Sequence, residues 1–289
     1  MTIKHLVLSG GGPSMIQYLS ALQHLENKQF LDIQNIESVY GTSAGAIIAI
    51  LICLKYDWET INDYIIKRPW QDVFVIKVQH IFDAYTKKGI FDIKIIEKCF
   101  KPLLDAKDIS MEITLEDFYK YSNIELHLFT FEINEFQLED ISYLNYPKLP
   151  LLTALQMTCG LPILMTPVCL DNKCYIDGGI VCNYPLKYCI ESGKKSEETL
   201  GFKNIYNKDK NCVDKDSTLL DFIMNFLFKI INSLSLDHIQ PTAKYEIALN
   251  TSLLSINVLK TALSNIEVRK DLFKSGEESA TAFLEQLEK

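Results

Sequence analysis

No stretch of this 289-residue chain stays apolar for the roughly 20 residues that a bilayer-spanning helix requires; the longest candidate runs only from Ala44 to Leu54. The start, Met1-Thr2-Ile3-Lys4-His5, passes directly into Leu6-Val7-Leu8 and three glycines, without the apolar core of a signal peptide. The chain is therefore expected to be cytoplasmic, with at most a peripheral membrane contact. An excess of basic residues is also missing. Lys and Arg number 29 against 37 Asp and Glu, giving a net charge of −8, which argues against a nucleic-acid partner. Eight cysteines are present but no C-x-x-C pair, so zinc at Cys169, Cys174, Cys182 and Cys189 is disfavoured and the cysteines are expected to be thiols. With 48% hydrophobic and 23% charged residues, the composition excludes a disordered chain or a coiled coil.

What is present begins with a repeated unit. His5 to Ser9 reads as a buried strand, and Ile16, Leu19, Leu22 and Leu25 then follow helical spacing across a glycine-rich turn. Glu37 to Tyr40 and Ala44 to Leu54 repeat the pattern of strand, tight turn and helix, which predicts an α/β domain with a mostly parallel sheet. Trp58 to Leu104 reads as mainly helical, with Asp92 capping a helix from Ile93. Ile124 to Phe131 reads as a strand, Leu151 to Thr158 as a helix, and Cys174 to Ile176 as a strand broken at Asp177-Gly178-Gly179. Glu191 to Asp216 carries six basic and six acidic residues and few large apolar ones, so residues 193–216 are expected to link a domain of residues 1–192 to a helical extension, 217–289.

Seven of the twelve glycines fall in three clusters: Gly10-Gly11-Gly12, Gly41 with Gly45, and Gly178-Gly179. Gly41-Thr42-Ser43-Ala44-Gly45 is a G-x-S-x-G between strand and helix, the context that projects a serine hydroxyl from a strained turn. A nucleophilic serine needs a base and an oxyanion hole. Gly10, Gly11 and Gly12 offer backbone amides without side chains for the hole. A dinucleotide fold is disfavoured, because Met15 stands where the third glycine of G-x-G-x-x-G belongs. None of the histidines His5, His24, His80, His127 and His238 has a motif around it. Only His238 fits the chain order of an α/β-hydrolase, a fold that needs more strands before its elbow than can precede Ser43. Asp177, at the end of a short strand and followed by two glycines, is the remaining candidate for the base, and on local sequence it reads equally as a turn aspartate, since Asp-Gly is a common turn pair.

The ordered set of glycine loop, G-x-S-x-G and, 134 residues after the serine, D-G-G resembles the patatin-like phospholipase family. Gly89-Ile90-Phe91-Asp92, Leu161-Pro162 and Asn183-Tyr184-Pro185 are similar to further family motifs, and the likeness spans roughly residues 4–192. The resemblance implies a three-layer fold with helices on both faces of the sheet. It also implies a hydrolase of lipid acyl esters without cofactor or metal. In it Ser43 is the nucleophile, Asp177 the base and Gly10, Gly11 and Gly12 the oxyanion hole, with Gly41, Gly45, Gly178 and Gly179 supporting. Phospholipid or another acyl lipid is then the substrate. One departure stands out: family loops read G-G-G-x-[KR]-G, whereas this chain has Pro13-Ser14-Met15. The alternative is a module of the same fold that binds lipid or protein without turnover. Leu219 to Leu236, with a broad apolar face, is a candidate for membrane contact, weighed against a packing helix.

Overall fold

His5–Leu8 (β1) is buried at every residue because it lies between two other strands, with a covered face on either side, as continuous apolar strands of parallel sheets do. The computed structural model describes residues 2–206, 213–234, 241–252 and 254–288. Its main sheet comprises β1, Ser38–Thr42 (β2), Glu125–Glu132 (β4), Gln137–Ile141 (β5), Val168–Leu170 (β7), Lys173–Asp177 (β8), Thr199–Tyr206 (β9) and Tyr245–Thr251 (β10). The order is β10-β9-β1-β2-β4-β8-β7, parallel from β10 to β4, with β5, β7 and β8 antiparallel. A small parallel pair joins Gly89–Phe91 (β3) to Ile163–Met165 (β6).

Helices cover both faces, as expected. Met15–Asn27 (α1) and Ala44–Cys53 (α2) follow the first two strands. Between β2 and β4 lie Trp58–Asn62 (α3), Trp70–Val73 (α4), Val78–Lys87 (α5), Ile93–Asp105 (α6) and Leu115–Ser122 (α7). Leu151–Thr158 (α8), Leu186–Glu191 (α9), Leu219–Leu234 (α10), Ile256–Ser264 (α11) and Ile266–Leu287 (α12) complete the chain. Strand side chains alternate between faces. Leu6, Leu8 and Val39 join Leu19 of α1 and Ile48 of α2 in the larger core, whereas Val7, Tyr40 and Phe129 pack with Tyr184, Leu186 and Cys189 on the other face. Asp92 caps α6 as expected, accepting from the Lys94 amide.

Two expectations fail. The stretch read as a linker, 193–216, contains β9, an interior strand paired with both β1 and β10. The extension, 217–289, is helical at its end but contributes β10 to the same sheet, so the sheet runs through the boundary drawn there. Counting charges over a long window hid two short alternations: Leu200 and Phe202 in β9, and Tyr245, Ile247 and Leu249 in β10, face the core. Arg269 of α12, buried itself, ties this end to the body by donating to the carbonyls of Ile66, Arg68, Ala262 and Leu263. The all-thiol expectation is also corrected. Cys169 and Cys174 are opposite one another across β7 and β8 and are joined by a disulfide.

Candidate active site

Ser43 sits between β2 and α2 with φ 52° and ψ −118°, a conformation that side-chain-bearing residues adopt only under constraint. The constraint is visible in its neighbours. A Cβ at Gly45 would run into the carbonyl oxygens of Leu8 and Ser9, and one at Gly41 would meet the Ala46 amide, so strand and helix approach as closely as glycine permits. The Ser43 amide donates to Thr158 Oγ1 (2.9 Å), which in turn donates to the Phe129 carbonyl (2.6 Å). The elbow is thereby pinned to α8 and β4. The N-terminus of α2 points its amides and dipole at the same place.

Strand register brings the acid there. Thr42, the last residue of β2, aligns with Phe129 of β4, and Asp177, the last of β8, aligns with Thr130. Because β5 takes the opposite edge of β4, β2 and β8 meet end to end on one edge. Asp177 is 5% exposed, accepts a hydrogen bond from the Gly179 amide at 2.8 Å, and lines the same cavity as Ser43, whose hydroxyl lies close enough to favour the charged carboxylate. Burial pushes its carboxyl up to about 6, against the pull of the nearby Ser43 hydroxyl and the Gly179 amide. A Cβ at Gly178 would collide with the Phe129 carbonyl, so β8 can end there only with glycine next.

The three glycines of the loop divide their work. The Gly10 amide donates to the Asn183 carbonyl (3.1 Å), and Gly10 does not line the cavity before Ser43. Gly11 and Gly12 do line it, and their amides have no acceptor among the described residues. Gly12 has φ +58°. Of the three glycines expected to form an oxyanion hole, Gly11 and Gly12 thus face the cavity, while the Gly10 amide is engaged by Asn183. The Gly10 carbonyl accepts from Asn183 Nδ2 (3.0 Å), Asn204 Nδ2 (2.7 Å) and Tyr18 Oη (3.4 Å). Ser14, in the unusual Pro13-Ser14-Met15 segment, donates to the Gly11 carbonyl (3.2 Å) and accepts from Asn204 (3.2 Å). The segment that lacks the basic residue thus carries a neutral hydrogen-bonded brace. Thr158, Tyr18 and Asn204 carried no sequence signal, whereas Ser14 stands in the departing Pro13-Ser14-Met15 segment and Asn183 in the N-x-P motif.

The cavity has a volume of about 670 Å³, within the range of small-molecule sites. Ser43, Asp177, Gly11 and Gly12 form its polar end, and Ile47, Leu51, Tyr64, Phe74, Phe100 and Leu103 are among the apolar residues of its wall. Cys159 beside Ser43 is half-buried, and desolvation pushes its thiol well above the ordinary thiol range, which leaves it neutral. No histidine among the described residues lines this cavity. His5 bonds Ser38, His24 bonds Thr281, His80 lies on the exposed α5, and His127 bonds Asp140 while stacking on Tyr40; His238 lies outside the described residues. Among the described residues no cluster of ligands suited to a metal occurs, and no helix is long and apolar enough to cross a membrane.

The chain is similar to known proteins over most of this region. It is 27% identical over 197 residues to the probable lipid hydrolase 463L of Invertebrate iridescent virus 6, covering 68% of this chain and 66% of that protein. It is 28% identical to the uncharacterised protein YqhO of Bacillus subtilis, covering 62% and 64%. The chain thus spans slightly under two thirds of these curated relatives. The crystal structure of VipD from Legionella pneumophila shares the fold with a TM-score of 0.60 at 18% identity, over 98% of this chain and 67% of VipD. The family model for patatin-like phospholipase matches residues 6–190, and with well over half of its residues matched the chain belongs to the patatin-like phospholipase family.

Proposed function

We propose that the protein is a lipid acyl hydrolase acting through a Ser43–Asp177 dyad. The observation that carries this reading is the buried Asp177 carboxylate facing the same cavity as a serine held in a strained elbow. With its carboxyl raised to about 6, Asp177 is ionised at neutral pH yet basic enough to take a proton in the transition state. In the first half-reaction the Ser43 oxygen attacks the ester carbonyl as its proton passes to Asp177. The Gly11 and Gly12 amides and the α2 dipole stabilise the oxyanion, and Asp177 returns the proton to the leaving alkoxide. Water then attacks the acyl-enzyme by the same route in reverse, releasing the fatty acid. No step needs a cofactor or metal. The apolar wall suits an acyl chain, so phospholipid or another acyl lipid is the proposed substrate, in a cytoplasmic setting, and the charge of −8 disfavours a nucleic acid.

The test is product mass spectrometry on phospholipid together with a fluorophosphonate probe. Stoichiometric labelling of the parent at Ser43, no labelling of Ser43→Ala, and fatty acid released only by the parent are expected. An unlabelled, inactive parent would favour the non-catalytic binding module, which the absent basic residue at Pro13-Ser14-Met15 motivates. Residues 219–236 remain a proposed peripheral contact: Leu219, Phe222 and Phe226 of α10 are exposed, while residues 235–236 lie outside the described residues.

A further inference from the structure

The helix α5 is amphipathic the wrong way round for a soluble protein. Val78, Ile81, Phe82 and Tyr85 occupy i, i+3, i+4 and i+7 and form one stripe, yet they are 71%, 59%, 70% and 95% exposed. The half-buried residues of the helix are instead His80, Asp83 and Ala84. A hydrophobic stripe of this kind normally faces the core, and a contiguous exposed one marks a binding surface.

Two features indicate what covers it. First, the stripe is continuous with the cavity holding Ser43 and Asp177: Val75 and Ile76, just before α5, line that cavity and are themselves 45% and 51% exposed. Second, the segment is basic in an acidic protein. Residues 67–88 hold five cations, Lys67, Arg68, Lys77, Lys87 and Lys88, against Asp72 and Asp83, whereas the whole chain carries −8. Lys77 and Lys88, at the two ends of the helix, make no ion pair among the described residues. An apolar stripe flanked by unpaired lysines is the surface of a helix that lies in a lipid interface with cations at the headgroups.

We propose that α5 docks on an anionic lipid surface, seating its apolar stripe among the acyl chains and bringing the mouth of the cavity to the membrane. This rests on the lipid-hydrolase reading for its purpose, but it is tested by binding, independently of turnover. The probe is flotation with phosphatidylcholine vesicles, with and without phosphatidylglycerol, using Ser43→Ala protein so that the lipid stays intact. The protein is expected to bind the anionic vesicles more tightly and to lose that preference at high salt. A Phe82→Asp/Tyr85→Asp double variant should bind roughly 10–100-fold more weakly, the range for withdrawing one or two large apolar side chains from lipid. In the Ser43 background this double variant should still hydrolyse a water-soluble short-chain ester within about twofold of the parent rate, since neither residue lines the cavity. Lys77→Gln/Lys88→Gln, which leaves the stripe intact, should abolish the preference for phosphatidylglycerol.

Undiminished vesicle binding by the double variant overturns the proposal, as does a parent that ignores anionic vesicles. A parent dimer that the double variant converts to monomer, with vesicle binding unchanged, assigns the stripe to a second copy instead and overturns it equally. If the soluble ester is not hydrolysed at all while vesicle binding follows the pattern above, the docking surface stands and the hydrolase reading fails.

Discussion

Replacing the proposed base by its neutral isostere, Asp177→Asn, should abolish turnover and at the same time stabilise the protein at neutral pH. Burial raises the Asp177 carboxyl to about 6 from its ordinary 3.8, so the folded state binds a proton more tightly than the unfolded chain does. Between those two values stability falls as pH rises, because the folded protein must progressively hold a buried negative charge. Below the lower value the penalty is absent; above the upper one it is complete. The difference between those two values corresponds to about 3 kcal/mol at pH 7.5. Asparagine keeps an acceptor for the Gly179 amide and the Ser43 hydroxyl without the charge. At roughly 2 °C per kcal/mol for a domain of this size, Asp177→Asn should melt about 5 °C above the parent at pH 7.5 and near it at pH 4. Differential scanning calorimetry across pH 4–8 reads this directly. A variant melting at or below the parent throughout, with no pH dependence in the difference, would refute the claim that burial holds this acid's proton affinity up. The same ionisation should appear in the parent's kcat/KM, rising with pH through an acid limb near 6.

Other perturbations test the scaffold around the dyad. Thr158→Val removes the hydroxyl that accepts from the Ser43 amide and donates to Phe129, and should cost about 1–3 kcal/mol in a urea melt as well as lowering kcat. Gly45→Ala sets a methyl against the Leu8 and Ser9 carbonyls; because backbone must shift, a loss above about 2 kcal/mol or failure to fold is expected by circular dichroism. Asn204→Leu strips the brace from the Gly10 carbonyl and Ser14, and should slow fluorophosphonate labelling of Ser43 by about tenfold or more while leaving KM for a short ester little changed. Arg269→Met leaves four carbonyls without their buried donor, and a drop of about 3 kcal/mol in thermal stability should follow without loss of Ser43 labelling at low temperature.

The features legible from residues alone were those set by local chemistry. Apolar runs marked β1, β2 and α2, and Asp92 announced the start of α6. Glycine clusters marked the places where backbones nearly touch: at Gly45 and Gly178 no side chain can be accommodated beside Leu8 and Phe129. What composition obscured was strand content within a charged stretch. Asn204, central to the loop brace, lies in β9, inside residues read as a linker, because Leu200 and Phe202 are too few to outweigh the lysines and glutamates around them. The division of the glycine loop was equally invisible, since Gly10 differs from Gly11 and Gly12 only in that Asn183, more than 170 residues away, captures its amide.

The one-dimensional pattern was thus enough to name the nucleophile and the acid as candidates and to predict an α/β layer order, because those follow from residue type, spacing and the constraints of a tight turn. Their meeting was decided only by pairing between distant strands: β2 and β8 are joined through consecutive residues of β4, Phe129 and Thr130, and no local interaction specifies that register. What lifts the proton affinity of Asp177 above that of an ordinary turn aspartate is likewise burial, a property of the packed whole that no neighbouring residue encodes.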